Sequence, residues 1–343
     1  MPTPAFLWVI PFLFAVTAFS QSQGSVNPSV TVSVLSRVPL PGIPSASGVE
    51  AYANRIYVIG DDSPFLYELD TSLKQCQQIR LFPDSTEPGA RIPKARKPDF
   101  ESMLILEPAA VPELFVFGSG SKSPERERGF RVPLAGSHRY VPSEFSLSTL
   151  YDAFRKHPDI TGSGTLNIEG AAATSDHVIF LQRKSGNSRN AAILIAKLAF
   201  AGWLEHPNIV PPFSILSFDL PLLQNVPAGF SGITHATGTP NFLFSASAEN
   251  TDNAIDDGTI LGSLIGFFPI PQASPFSSAP HGRCIPGAIL GTASLMSDDR
   301  FLPVKIEGIT VIESAHAGTL TAIAVTDSDS GVSELLKLQI RFK

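Results

Sequence analysis

Two sets of residues recur in this chain at positions where they could hold a ligand. The first is a carboxylate that follows an apolar residue and precedes small or apolar ones. It stands in Val49-Glu50-Ala51, Phe100-Glu101-Ser102, Ile168-Glu169-Gly170 and Ile306-Glu307-Gly308, with serine in its place in Phe230-Ser231-Gly232. The second set lies in the polar turn downstream of each of these starts. Three turns are acidic, carrying Asp61 and Asp62, then Glu249, Asp252, Asp256 and Asp257, then Asp327 and Asp329. Two are basic, carrying Lys122, Arg126 and Arg128, then Arg183, Lys184 and Arg189. Carboxylates and carbonyls are the ligands that Ca²⁺ selects, and Arg and Lys are the partners of phosphate and carboxylate groups. Brought together, the two sets would suit an anionic ligand bridged to a divalent cation. Glutamates converging on one axis would otherwise repel each other, which calls for a cation or for raised pKa values.

These residues share a repeated setting. Each start opens an apolar strand, and a hairpin, a second apolar strand and the charged turn follow. The pattern occurs five times, which a pair of stacked sheets would not explain. The expected fold is all-β, a five-bladed β-propeller with six blades as the runner-up. The fifth repeat runs out of chain after three strands, and Thr31 to Leu40 supplies a strand at the other end. A propeller closed by its N-terminal strand uses both facts and leaves no open sheet edge in the ring. Phe145, Leu147, Leu150, Tyr151 and Phe154 fall at helical spacing ahead of Pro158, which predicts one inserted helix near 143–157. In such a ring Glu50, Glu101, Glu169, Ser231 and Glu307 would surround the channel mouth. With Lys122, Arg126, Arg183, Lys184 and Arg189 they form the expected ligand-binding set. Asp61, Glu249, Asp252, Asp327 and Asp329 form the expected metal set. A second reading stays open: the glutamates could lock neighbouring blades through backbone amides, and Asp and Ser are turn formers in their own right.

The chain has 343 residues, 43% of them apolar and 16% charged, so it can bury a large core. Its 30 Pro and 26 Gly suit many short strands joined by turns. A net charge of −6 argues against nucleic acid as a partner. Residues 1–20 read as a signal peptide, with Phe6 to Phe19 nearly all apolar and Ala18-Phe19-Ser20 as a cleavage site. Residues 21–30 read as a flexible lead-in and 31–343 as one propeller domain, a secreted or periplasmic monomer with no later membrane span. Cys76 and Cys284 are either a disulfide or two thiols. The seven His show no metal spacing, and no Ser lies in a nucleophile elbow.

With its five strand starts and the segments ELFVFGSGSKSPERERGF and FLFSASAENTDNAIDDG, the chain resembles an uncharacterised family of secreted bacterial β-propellers, similar to the phytase-like (esterase-like phytase) domain proteins. The resemblance implies a glutamate-lined channel and calcium-dependent phosphoesterase activity. Two functional expectations follow. One is a propeller that binds an anionic small molecule, or an envelope or extracellular protein, at the channel mouth. The other is a calcium-dependent hydrolase of phosphoesters.

Overall fold

The computed structural model describes residues 29–82, 91–107, 111–137, 139–250, 258–270, 284–297, 300–328 and 332–342. The chain enters as β1 (Val30–Pro39) and then builds blade 1 from β2 (Ala46–Tyr52), β3 (Arg55–Gly60), β4 (Phe65–Leu69) and β5 (Gln75–Arg80). Blade 2 is β6 (Phe100–Leu106), β7 (Glu113–Gly118), β8 (Arg128–Pro133) and β9 (Ser143–Ser146). Two helices follow, α1 (Ser148–Arg155) and α2 (Pro158–Thr161). Blade 3 is β10 (Ile168–Ala173), β11 (His177–Gln182), β12 (Asn190–Ala196) and β13 (Phe213–Phe218), with α3 (Lys197–Glu205) between its last two strands. A small hairpin, β14 (Leu222–Leu223) with β15 (Val226–Pro227), leads into blade 4. Blade 4 starts with β16 (Gly229–His235), β17 (Asn241–Asn250) and β18 (Thr259–Pro269). The chain next lays β19 (Cys284–Pro286) parallel to β13 on the rim of blade 3, and returns as β20 (Gly291–Ser294) to finish blade 4. It then sets β21 (Met296–Ser297) parallel to β1 and β22 (Arg300–Phe301) beside β21. Blade 5 is β23 (Lys305–His316), β24 (Thr319–Asp327) and β25 (Ser333–Phe342), and β1 pairs antiparallel with β25 as its fourth strand.

The inner strands β2, β6, β10, β16 and β23 each pack against the next, and β23 packs against β2, so the ring closes at five blades. The second strands explain the continuous apolar runs of the sequence. β7 (ELFVFG) and β11 (HVIFLQ) are buried from their second residue onward, because both faces of each sheet lie against a neighbouring blade. The apolar side chains sort into clusters between successive blades.

Every inner strand has a register shift at the same place, between Ala46 and Gly48, Phe100 and Ser102, Ile168 and Gly170, Phe230 and Gly232, and Ile306 and Gly308. The residues skipped are Ser47, Glu101, Glu169, Ser231 and Glu307. A bulge leaves one residue out of the ladder and re-aims its side chain, so five bulges present five side chains in equivalent positions. Small residues after the bulge let the strands meet at the axis. A Cβ on Gly308 would lie 3.0 Å from the Ser47 carbonyl oxygen and 3.1 Å from Gly48 Cα.

Several expectations need correction. Ser47, not Glu50, occupies the equivalent position in blade 1, and Glu50 lies three residues further along β2. The expected helix near 143–157 is shorter. Ser143–Ser146 forms the outer strand β9, and only Ser148–Arg155 is α1, whose N-cap is Leu147 with no capping side chain. The apolar run Ala191 to Phe200 is strand only as far as Ala196 and turns helical at Lys197. Residues 284–286 join blade 3 although they follow the third strand of blade 4 in the chain. Of the two readings left open for Cys76 and Cys284, two thiols is the one found: both are free. The expected signal peptide lies outside the described residues, as do residues 21–28 of the lead-in, Asp252, Asp256, Asp257 and Asp329.

Candidate functional site

The bulges, the residues two places before them and the turns after the second strands come together at one mouth of the channel. The three turn residues Asp61, Ser119 and Arg183 are equivalent, because their amides donate to the carbonyls of Ser45, Asp99 and Asn167, each two places before a bulge. Blade 5 places Lys305 opposite Asp327 in the same register.

One half of the mouth, at blades 1 and 2, is rich in carboxylates. Oxygen atoms of Asp61, Asp99 and Glu101 lie within 4.8 Å of one another. Lys97, from the connection between the two blades, ion-pairs with Asp61 and sits 2.8 Å from Asp99 Oδ1. Arg126 ion-pairs with Asp99, and the Ser119 hydroxyl donates to Asp99 Oδ2 at 2.7 Å. Arg91 bonds Asp62 Oδ2 at 2.6 Å and donates to Ser45 Oγ at 3.1 Å. Helix α1 braces the turn that carries Arg126. Arg155 donates to the Gly120 carbonyl at 2.8 Å and pairs with Glu127 at 2.6 Å, and the Tyr151 hydroxyl donates to the Gly118 carbonyl at 2.7 Å.

The other half, at blades 3 to 5, is a network around two cations. Arg183 Nη2 donates to Glu249 Oε1 at 2.9 Å, and its Nη1 is 3.7 Å from Glu169 Oε2. Lys305 Nζ is 3.2 Å from the same Glu249 oxygen and 2.9 Å from Glu307 Oε1. Asn167 Nδ2 donates to Glu169 Oε1 at 2.5 Å. Blade 4 has glycine at the rim position where blade 2 has Asp99 and blade 5 has Lys305. The Arg183 stem runs over that glycine, and a Cβ on Gly229 would fall 2.7 Å from Arg183 Cγ.

The electrostatics differ from carboxylate to carboxylate. Burial, and then Glu169, Asp99, Asp61 and Glu307, push the Glu101 carboxyl well above its ordinary value. Burial raises Glu307 to about 8 against the pull of Lys305, and raises Glu169 against the pull of Arg183. Burial raises Asp61 to about 6 despite Lys97. For Glu249 burial acts in the same direction, but Arg183 and Lys305 prevail and hold it below its usual value. Deeper in the channel, burial lifts Glu50 to about 8, and its Oε2 accepts from Thr310 Oγ1 at 3.2 Å.

Of the expected ligand set, Glu101, Glu169, Glu307, Arg126 and Arg183 meet at the mouth. Ser231 faces it through its bulge and contacts Ser245 Oγ at 3.2 Å. Lys122 is exposed and pairs with Glu125 at 3.4 Å. Lys184 and Arg189 are exposed on the turn beyond Arg183. Of the expected metal set, Asp61 lies in the carboxylate half, Glu249 is held by the two cations, and Asp327 is near enough to Arg91 to raise its pKa. Asp99, Lys305, Arg91 and Lys97 were not among the expected site residues. The first two had a signal, since each stands two places before a bulge glutamate. Arg91 and Lys97 had only a basic run between blades.

A model described as a family of unknown function, DUF6929, matches residues 42–340. No curated protein matches the chain. Among solved structures, a PQQ-bound aldose sugar dehydrogenase from Streptomyces coelicolor is 12% identical over 91% of this chain and 99% of that one, with a TM-score of 0.46. An α-L-arabinanase mutant from Cellvibrio cellulosa is 10% identical over 86% and 92%, with a TM-score of 0.43. A streptogramin B lyase is 9% identical over 94% and 100%, with a TM-score of 0.36. At these identities the likenesses bear on neither substrate nor chemistry.

Proposed function

This chain belongs to the DUF6929 family of unknown function, and on that footing we propose that it is a binding propeller. It takes a hard divalent cation at Asp61, Asp99 and Glu101, and through that ion an anionic small ligand at the channel mouth. The observation that carries the reading is the isolation of Glu101. Asp61, Asp62, Asp99, Glu169, Glu249 and Glu307 each have a Lys or Arg within ion-pairing distance, and among the described residues Glu101 has none. A carboxylate sunk among four others is relieved either by a proton or by a metal ion. Oxygen donors this close together fit Ca²⁺ better than a softer metal. Lys97 stands in for part of the missing charge, and Arg91 and Arg126 stand beside it to meet an anion.

The test is a calorimetric and thermal-shift titration of EDTA-treated protein with CaCl2. The melting temperature should rise by several degrees at saturating Ca²⁺, as ligand linkage requires. Glu101→Gln should weaken binding at least tenfold. A flat titration of the wild type would remove the cation from the reading. The sign of the pH dependence is fixed by the raised carboxyls. Burial pushes Glu50 and Glu307 up to about 8 in the folded protein, against 4.5 for a free glutamate. Their contribution is complete below about 4.5 and is lost as pH rises toward 8. Calcium-free protein should therefore melt lower at pH 8 than at pH 5.5. Added Ca²⁺, which competes with protons for the raised Asp61 and Glu101 carboxyls, should raise the melting temperature more at pH 8 than at pH 5.5.

A secreted or periplasmic location fits this reading, because extracellular calcium modules work at roughly 10⁻⁴ to 10⁻³ M. The apolar segment Phe6 to Phe19 supports export. Mature protein recovered from the medium or periplasm should begin at Gln21, and recovery only from the cytoplasm would count against it. The hydrolytic alternative uses the same site, and calcium-dependent turnover of 4-nitrophenyl phosphate in the titrated samples would select it over binding alone.

A further inference from the structure

The blade 3 to 5 half of the mouth has a feature that the cation reading leaves unused. Glu249 lies at the far end of the β17–β18 hairpin, just past a bulge between Ala248 and Glu249. Its Oε1 accepts from Arg183 at 2.9 Å and lies 3.2 Å from Lys305 Nζ, so a guanidinium and an ammonium from different blades converge on one oxygen. Both cations are mostly shielded from water, with side chains 16% and 13% exposed. The position of Arg183 depends on a particular sequence choice, the glycine at 229 beneath its stem. Glutamate reaches the two cations through its side chain alone, so it can leave without breaking a ladder bond.

We propose that Arg183 and Lys305 form an oxyanion subsite, and that Glu249 fills it as an internal stand-in that a ligand carboxylate or phosphate displaces. The neighbouring charges are compatible with this. Glu169 and Glu307 touch the same two cations, yet burial drives both toward the neutral acid, while Glu249 is held as the anion. Among these three carboxyls, Glu249 is the one that both cations contact directly. A guanidinium fork beside an ammonium is a donor set that suits a planar carboxylate or a tetrahedral phosphate. The ligand class is then a small molecule with an oxyanion at one end. Its other end lies toward Asp61, Asp99 and Glu101, where the proposed cation can hold a second oxygen. The inference rests on the reading that the mouth binds a ligand, but not on the cation.

The experiment separates the two. Calorimetry with inorganic phosphate, and in parallel with acetate, is run on the full chain in EDTA, so calcium plays no part. Glu249→Ala should bind at least one of these anions ten times more tightly than the wild type. Adding Arg183→Gln to that variant should remove the gain. If Glu249→Ala does not fold, Glu249→Gln is measured by the same criterion with an expected gain of about threefold. Phosphate and acetate affinities no higher in the Glu249 variant than in the wild type would overturn the subsite, whatever the calcium titration shows. A calcium response lost in Glu101→Gln with the anion gain intact would leave both proposals standing.

Discussion

A chain that starts at Leu40 should lose its cooperative melting transition. Without β1 the ring has no fourth strand for blade 5, and β25 is left with an open edge from Ser333 to Phe342. In the intact protein β1 pairs with β25 from Val30 with Phe342 to Pro39 with Glu334. Val30 and Val32 are 9% and 3% exposed, packed in the same cluster as Leu336, Leu338 and Ile340. Burying a valine of this kind contributes about 1.5 to 3 kcal/mol, and each ladder hydrogen bond adds about 1 kcal/mol. The sum rivals the roughly 5 to 15 kcal/mol that holds a whole domain together. The check is a circular-dichroism melt of the truncated chain, followed by addition of a peptide covering residues 29–40. The peptide should restore the transition. A truncated chain that melts like the full one would mean that closure by β1 is dispensable.

Arg183→Met should cost about 3 kcal/mol at neutral pH and much less in acid. The arginine is answered by Glu249 and Glu169 and is largely screened from solvent. Removing one member of a buried charge network leaves the others without compensation, which is typically worth about 3 to 5 kcal/mol. The lower figure applies here because Lys305 still reaches Glu249. The pH sign follows from Glu249. The arginine helps to hold that carboxyl below its ordinary value, so its contribution is present above about 4.5 and fades as pH falls through the lower folded value. Urea unfolding at pH 7 and pH 4 checks both parts. Equal losses at the two pH values would show that the arginine acts by packing rather than by charge. Arg183→Lys should fall between, since an ammonium keeps the charge but not the fork.

The ring was legible in the sequence because a bulged inner strand leaves a short, position-locked signature. An apolar residue, a Glu or Ser, a small residue and an apolar residue recur at the axis, where strands crowd together. The same signature misled at blade 1. Val49-Glu50-Ala51 satisfies it by residue type better than Ala46-Ser47-Gly48, and only the ladder register distinguishes them. The outer strands were harder to read. Ser143–Ser146 is a short rim strand that runs almost directly into α1, so the helical spacing of Phe145 and Leu147 with the residues beyond concealed it. The segment Ala191 to Phe200 is apolar throughout, and an apolar run does not reveal where strand gives way to helix. α3 forms there because Phe200 and Trp203 fill the wedge beside Phe115 and Phe145 of blade 2. Within the site, Glu101, Glu169 and Glu307 could be read from strand starts, and Asp61, Glu249 and Arg183 from turn positions. Lys97 and Arg91 could not, because the link between blades has no period that would show which way its side chains face.

The wandering path of β19 to β22 affects how the wheel can breathe. It stitches the rims of blades 3, 4 and 5 to one another, and side chains of the helices pack between blades 2 and 3. Among the described residues no such strand crosses the rim of blade 1, and Lys97 ties it to blade 2 at the mouth by pairing with Asp61 and Asp99. Asp61 belongs to blade 1, while Asp99 and Glu101 belong to blade 2. An ion gripped by all three would act as a staple across the seam, and protection of the blade 1 amides against hydrogen exchange would report its capture.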